Sequence, residues 1–310
     1  MPTGIVSISD GPRTTVSDLI GNPLAIPTKI IELLTNKFIA STLLRDAGKN
    51  GNGLVSYRES NPLYLGADVE TIAEFGEIPV AAGQIGTPRI ALATKKGLGV
   101  RVSREMRDEN DIDAVNLQLT QLANTMIRAN DRALRALLSD PSVPTITATA
   151  AWTGAGAKVR RDIANAMEQV NSATPNATAD DDLFGFEANT IVLPGNVTPV
   201  LLDNPDFLEV YKTSAPDQNI AYTGKLPNDV LSLAALTSRS WPKDRVLVCE
   251  RGTMGFYSDT RPLESTGLYG EGGGPNGGPT ESWRSDTTQK RAIGLDQPKA
   301  ACWIVGVQSA

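Results

Sequence analysis

The stretch ATKKGLGVRVSREMRDEN, residues 93–110, changes character twice. Lys95, Lys96 and Gly97 lead into the alternation Val100-Arg101-Val102, whose period of two reads as a strand. A long polar run follows Ser103, and Ser103 or Asp111 is placed to cap a helix there. In that helix Ile112, Val115, Leu119, Leu122, Met126, Ala129, Ala133 and Leu137 fall on one stripe, with Arg128, Asp131, Arg132 and Arg135 off it. About 28 residues at 1.5 Å each make a helix of roughly 42 Å, and Pro141 and Pro144 end it. The stretch holds no nucleophile, metal ligand or phosphate cradle, so its patterning serves architecture.

Upstream, LVSYRES, IALAT and GLGVRV read as strands. Between the first two lies a long loop containing VETIAEFGEIPVAAGQIGTP, residues 69–88. A loop of this length that cannot build its own core calls for a partner surface. PTKIIELLTNKFIASTLLR, residues 27–45, has helical spacing with Pro27 in the first turn, and GKNGNG stops it. Residues 1–21 are turn-rich and read as an extended arm.

Downstream, Lys158–Ser172 reads as a helix and Ala188–Val197 as a buried strand ending in a turn. DNPDFLEVYK reads as a short helix or turn, and Asp244–Asp259 as a strand pair. Gly270–Pro279 reads as a flexible loop, and QKRAIGLDQPKAACWIVGV as two closing strands. There are no internal repeats.

Composition narrows the function. A chain of 310 residues, 40% hydrophobic and 21% charged, builds one or two folded domains. With no histidine, Ser-His-Asp, Cys-His and ordinary zinc sites are excluded. A net charge of -6 makes the chain a poor direct binder of nucleic acid. Cys249 and Cys302 are too few for a disulfide framework, read as buried thiols, and fit a reducing compartment. No signal peptide and no membrane-length apolar run is present.

Candidate chemical signals have plain readings. GEGGGPNGGP lacks the Gly-Lys-Ser/Thr of a phosphate loop and is a surface loop. Asp180-Asp181-Asp182 lacks the spacing of a calcium loop and is a solvated acidic turn. Lys158, Arg160 and Arg161 at a helix start read as solvent-facing.

Taken in order, these features resemble the major capsid proteins of tailed bacteriophages, the Hong Kong 97-type fold. A two-stranded excursion passes through Ile78-Pro79-Val80 and returns along residues 95–110. Ser103-Arg104-Glu105 matches the family's Ser-x-Glu, Asp108 its acidic position, and residues 111–138 its spine helix. Arg291-Ala292 and Pro298-Lys299-Ala300 match its closing strands.

The resemblance implies an α+β capsid fold with an N-arm (1–53), an E-loop (54–102) and a P-domain holding the spine helix on a β-sheet (103–144 and 259–298). It also implies an A-domain (145–258) with a C-terminal strand (299–310). Leu63, Tyr64, Leu65, Ile72, Phe75, Ile78 and Val80 would contact neighbouring subunits. Lys95, Lys96 and Gly97 would form the E-loop hinge, and Val115, Leu119, Leu122 and Met126 the spine core.

It further implies pentamers and hexamers that close into an icosahedral shell around double-stranded DNA, assembled in the host cytoplasm and resident in the virion. The partners would be a separate scaffolding protein, since the fold begins almost at once, a portal protein and a decoration protein. No cofactor, metal or catalytic residue is implied. Some family members cross-link an E-loop lysine to a neighbour's asparagine. No lysine lies between Lys49 and Lys95 here, so a shell without cross-links is expected. The alternatives are an encapsulin-like nanocompartment and, remotely, a carboxylate-based hydrolase using Asp180–Asp182 or Glu187.

Overall fold

Ser103 ends the strand Thr94–Ser103, and its Oγ accepts from Met106 N at 3.2 Å to cap a short helix, Arg104–Asp108. Asp111 caps the next, its Oδ1 accepting from Ala114 N at 3.0 Å at the start of the helix Ile112–Leu138. Both expected caps are therefore used, on successive helices.

The computed structural model describes residues 15–22, 24–34, 37–62, 64–65, 67, 69–154, 156–175, 183–210, 229–273 and 277–308. In chain order the first elements are α1 (Val16–Gly21), α2 (Ala25–Leu34), α3 (Ile39–Leu43), β1 (Arg45–Lys49), β2 (Leu54–Glu59), β3 (Thr87–Leu92) and β4 (Thr94–Ser103). Next come α4 (Arg104–Asp108), α5 (Ile112–Leu138), β5 (Thr145–Thr147), α6 (Val159–Asn171), β6 (Thr190–Pro194), α7 (Val197–Asp203) and α8 (Pro205–Val210). The last are β7 (Asp229–Val230), β8 (Leu233–Ser238), β9 (Arg245–Cys249), β10 (Phe256–Ser265), β11 (Tyr269–Gly270), β12 (Ser282–Gly294) and β13 (Ala301–Val305).

The chain divides into two compact units, one of Met1–Phe38, Thr94–Ala129 and Asp259–Arg291, the other of the remaining segments. In the first, β12 is flanked by β10 and β4, and β4 pairs with it without a break from Thr94↔Arg291 to Ser103↔Ser282. The core joins Val16, Ile26, Ile30 and Leu34 to Val100 and Val102 of β4 and to Val115, Leu119, Leu122 and Met126 of α5. Ser285, Thr287 and Gln289 of β12 are also buried. Ser285 donates to Thr266 O at 2.7 Å, and the Thr287 hydroxyl donates to that of Ser265 at 3.1 Å.

The arm expected as extended over residues 1–21 is helical in its described part. Thr15 and Asp18 form a capping box that starts α1. The single helix expected over 27–45 is two, α2 and α3, with Leu34 in the first unit's core and Ala40 and Leu43 in the second's.

The second unit is built on a six-stranded mixed sheet in the order β5-β13-β9-β6-β8-β7. Every residue of β6 is buried, as its unbroken apolar run dictates. α6 buries Val159, Ile163, Ala166 and Val170, spaced for one helical face, and packs on β9 and β13. Trp303 Nε1 donates to Leu138 O at 2.8 Å, satisfying a carbonyl at the end of α5. Residues 244–259, expected as a strand pair, supply two strands that are not neighbours. β9 lies in this sheet and β10 in the other, because both edges of β9 are taken by β13 and β6 while β10 pairs with β12.

Two side chains expected at the surface are engaged inside this unit. Asp131 of α5 is buried rather than off the core. Arg160 does not simply face solvent: Nε and Nη2 donate to Asp206 Oδ1 at 3.2 and 2.9 Å. Cys249 and Cys302 are buried and free, and burial pushes both thiols up to about 12.

Candidate assembly surfaces

β2 and β3 pair in the second unit as an antiparallel ribbon, from Leu54↔Leu92 to Glu59↔Thr87. Period-two alternation sends Val55, Tyr57, Ala91 and Ala93 onto Phe256 and Ala292. Tyr57 meets Phe256 edge-on with ring centroids 5.1 Å apart. Gly294 lies under both rings, and any Cβ there would come within 2.7 Å of Phe256. The opposite face is left to solvent with Leu54, Ile90 and Leu92 all more than half exposed.

The loop between the strands is gathered at its base. Asn61 Oδ1 accepts from Gly86 N at 3.0 Å, Arg89 pairs with Glu59 at 2.6 Å, and Ser60 N donates to Asp296 O at 2.7 Å. Beyond that base the described residues form neither helix nor strand. The turn Ala73–Gly76 places Phe75 at φ 65°, a conformation that bulky residues rarely hold, with its ring 99% exposed. Val80 is 96% exposed, and Ile78, Leu65 and Tyr64 are all more than half exposed; Ile72 is 40% exposed. Leu63 and the triplet Asp180–Asp182 lie outside the described residues.

Other sequence candidates fall in ordered positions. Lys95, Lys96 and Gly97 sit just past the boundary between the units at Ala93, inside β4, opposite Lys290, Gln289 and Thr288. Lys96 Nζ also donates to Ala129 O at 2.9 Å. Val115, Leu119, Leu122 and Met126 are all at most 3% exposed. In the glycine-rich stretch, Gly278 approaches the Gly272 backbone so closely that a Cβ would lie 2.4 Å from it, so the described part is a folded turn rather than a slack loop.

Among the described residues no group of His, Cys, Asp or Glu could hold a metal, and no helix is long and apolar enough to cross a membrane. Glu187 is exposed. The sequence reading missed Leu54, Ile90 and Leu92. Their alternation was visible, but not which face would be buried.

A family model described as phage capsid protein matches residues 86–296. The chain belongs to the phage capsid protein family. Solved structures agree on a capsid fold of the Hong Kong 97 type. The capsid chain is similar to a structure of Gordonia phage Cozz, at 13% identity and TM-score 0.60, over all of this chain and 92% of that one. It is similar to one of Microbacterium phage Oxtober96, at 17% identity and TM-score 0.57, over 88% and 91%. It also resembles a virus-like particle from Pyrococcus furiosus, at 7% identity and TM-score 0.57, over 90% and 97%. No curated protein matches. The capsid chain is thus a structural protein that self-assembles into a shell, located in the virion capsid.

Proposed function

We propose that this capsid chain forms pentamers and hexamers that close into an icosahedral head around double-stranded DNA, with residues 60–86 of each copy laid onto a neighbour. The exposure of Phe75, Ile78 and Val80 on a loop gathered at its base carries this reading. Such side chains gain roughly 1.5–3 kcal/mol each in transfer terms when covered, a gain that requires a second chain. The outer ribbon face of Leu54, Ile90 and Leu92 extends the same surface.

The N-arm, E-loop, P-domain and A-domain divisions and a hinge at Lys95–Gly97 belong to this reading. So do assembly in the host cytoplasm and partnership with scaffolding, portal and decoration proteins. A nanocompartment shell would share the fold, and family membership favours a phage head. Negative-stain microscopy of purified protein, alone and with a scaffold, tests the proposal. Polyhedral shells or rings of five and six are expected, and a compact monomer under every condition overturns it.

A further inference from the structure

Asp131 is a carboxylate only 1% exposed, on the part of α5 that belongs to the second unit. The turn that leaves β8 folds over it. Ser240 Oγ donates to Asp131 Oδ2 at 2.7 Å and Ser238 Oγ to the same oxygen at 3.2 Å. Ser238 Oγ also accepts from Ser240 N at 3.1 Å, which sets the shape of the turn. Trp241 follows, buried and tilted against Trp303 with centroids 5.5 Å apart. The carboxylate thus fastens a strand exit to a helix 107 residues away in sequence.

The fastening is unbalanced. Both hydroxyls go to one oxygen, and Oδ1 is buried without a hydrogen bond. The charged group facing it is Arg135, one helical turn on, whose Nε is also buried without a partner. The Ile39 backbone at the start of α3 offers the carboxylate a hydrogen bond that is the weakest of the influences favouring its charged form, and the turn itself brings only hydroxyls. A buried charge with half its acceptor capacity unused is costly.

We propose that Asp131 is a proton-controlled latch on the Ser238–Trp241 turn: the serine hydroxyls hold the ionised carboxylate more strongly than the neutral acid, but burial with an unpartnered Oδ1 costs the ionised form more, so the closed turn is most stable when the carboxyl is neutral. Burial holds the Asp131 carboxyl above its ordinary value, and the serine hydroxyls only partly offset this. The sign follows. An acid whose folded pKa is raised contributes stability fully below its unfolded pKa of about 3.9, and loses it as pH rises through the folded pKa. The turn should therefore open more readily at neutral than at mildly acidic pH, unlike a salt-bridged carboxylate, which fails in acid.

Hydrogen exchange of the free full-length chain between pH 4.5 and 7.5, corrected for intrinsic rates, tests the latch. Protection of the 236–241 amides in the wild type should fall relative to Asp131→Asn as pH rises, by up to roughly tenfold per pH unit within the window between the two pKa values. A ratio that is flat, or that rises with pH, overturns the proposal. If Asp131→Asn does not fold, Ser240→Ala serves instead. Losing a donor to the ionised form should reduce protection at pH 7.5 far more than at pH 4.5, and equal loss at both overturns the proposal.

Discussion

Arg291 and Asp259 meet side-on in the first unit. Nε and Nη2 of the guanidinium donate to the two carboxylate oxygens at 2.7 and 2.8 Å, with the arginine side chain only 11% exposed. This pair joins β12 to β10 and explains why an arginine stands at the Arg291-Ala292 position, since only a planar fork gives two parallel hydrogen bonds. Ala292 is wholly buried in one cluster with Phe256 and Ala91.

Removing that fork strands a largely buried carboxylate. Arg291→Gln should destabilise the subunit by about 2–3 kcal/mol, and Arg291→Lys by somewhat less. Urea denaturation of unassembled chain measures both, and a loss under 0.5 kcal/mol, roughly the surface-pair scale, would assign the pair no structural weight.

Folding and assembly should separate at the loop. Phe75→Glu and Val80→Asp touch no core, so the melting temperature of the free chain should stay within about 2 °C of wild type. Shell yield should collapse in the same preparations. Normal shells from both variants would place the neighbour contact elsewhere.

On α5 the reverse holds. Leu119 and Met126 are 1% and 3% exposed, so Leu119→Ala should cost about 2–5 kcal/mol and Leu119→Asp should abolish folding. Circular dichroism and solubility of the expressed chain decide this directly.

The two thiols offer a clock for opening of the second unit. With Cys249 and Cys302 buried and pushed up to about 12, a thiol reagent at pH 8 should label neither in the native chain and both in denaturant. Fast native labelling would show that β9 and β13 part readily.

Shells boiled in detergent and reductant should run as one band near 32.9 kDa. Residues 60–86 carry no amine, and the nearest lysines on the return strand are Lys95 and Lys96, inside β4. A ladder of covalent oligomers would refute the expectation of a shell without cross-links.

Much of this was legible in the chain. The period of α5, the alternation of β2 and β4 and the unbroken apolar run of β6 report local geometry, which neighbouring residues determine. What stayed hidden depends on residues far apart. The apolar stripe of α5 was read through Ala129, Ala133 and Leu137, which are only half-buried, whereas Asn130, Asp131, Leu134 and Leu138 are the residues buried beyond Met126. Asp131, beside Arg132 and near Arg135, looks solvated until Ser238 and Ser240 arrive over it. Ser285 and Thr287 look like surface residues of a polar strand until the Thr266 carbonyl and the Ser265 hydroxyl meet them and make their burial tolerable. Distant pairing also sent β9 and β10 to different sheets.

The loop that exposes Phe75 and Val80 is also uniformly acidic. It carries Asp68, Glu70, Glu74 and Glu77 and no basic residue from Ser60 to Gly86. Apolar tips that hang in solvent would otherwise stick to one another before reaching a neighbour's body. On the proposed docking of the loop onto a neighbour, like charge on every copy should oppose that shortcut and make the loops gatekeepers of their own docking. Salt therefore acts on two competing outcomes. Raising ionic strength beyond 0.1 M shortens the screening length below about 10 Å, weakens loop-to-loop repulsion, and shifts a concentrated solution of free chains from ordered closure toward amorphous precipitate.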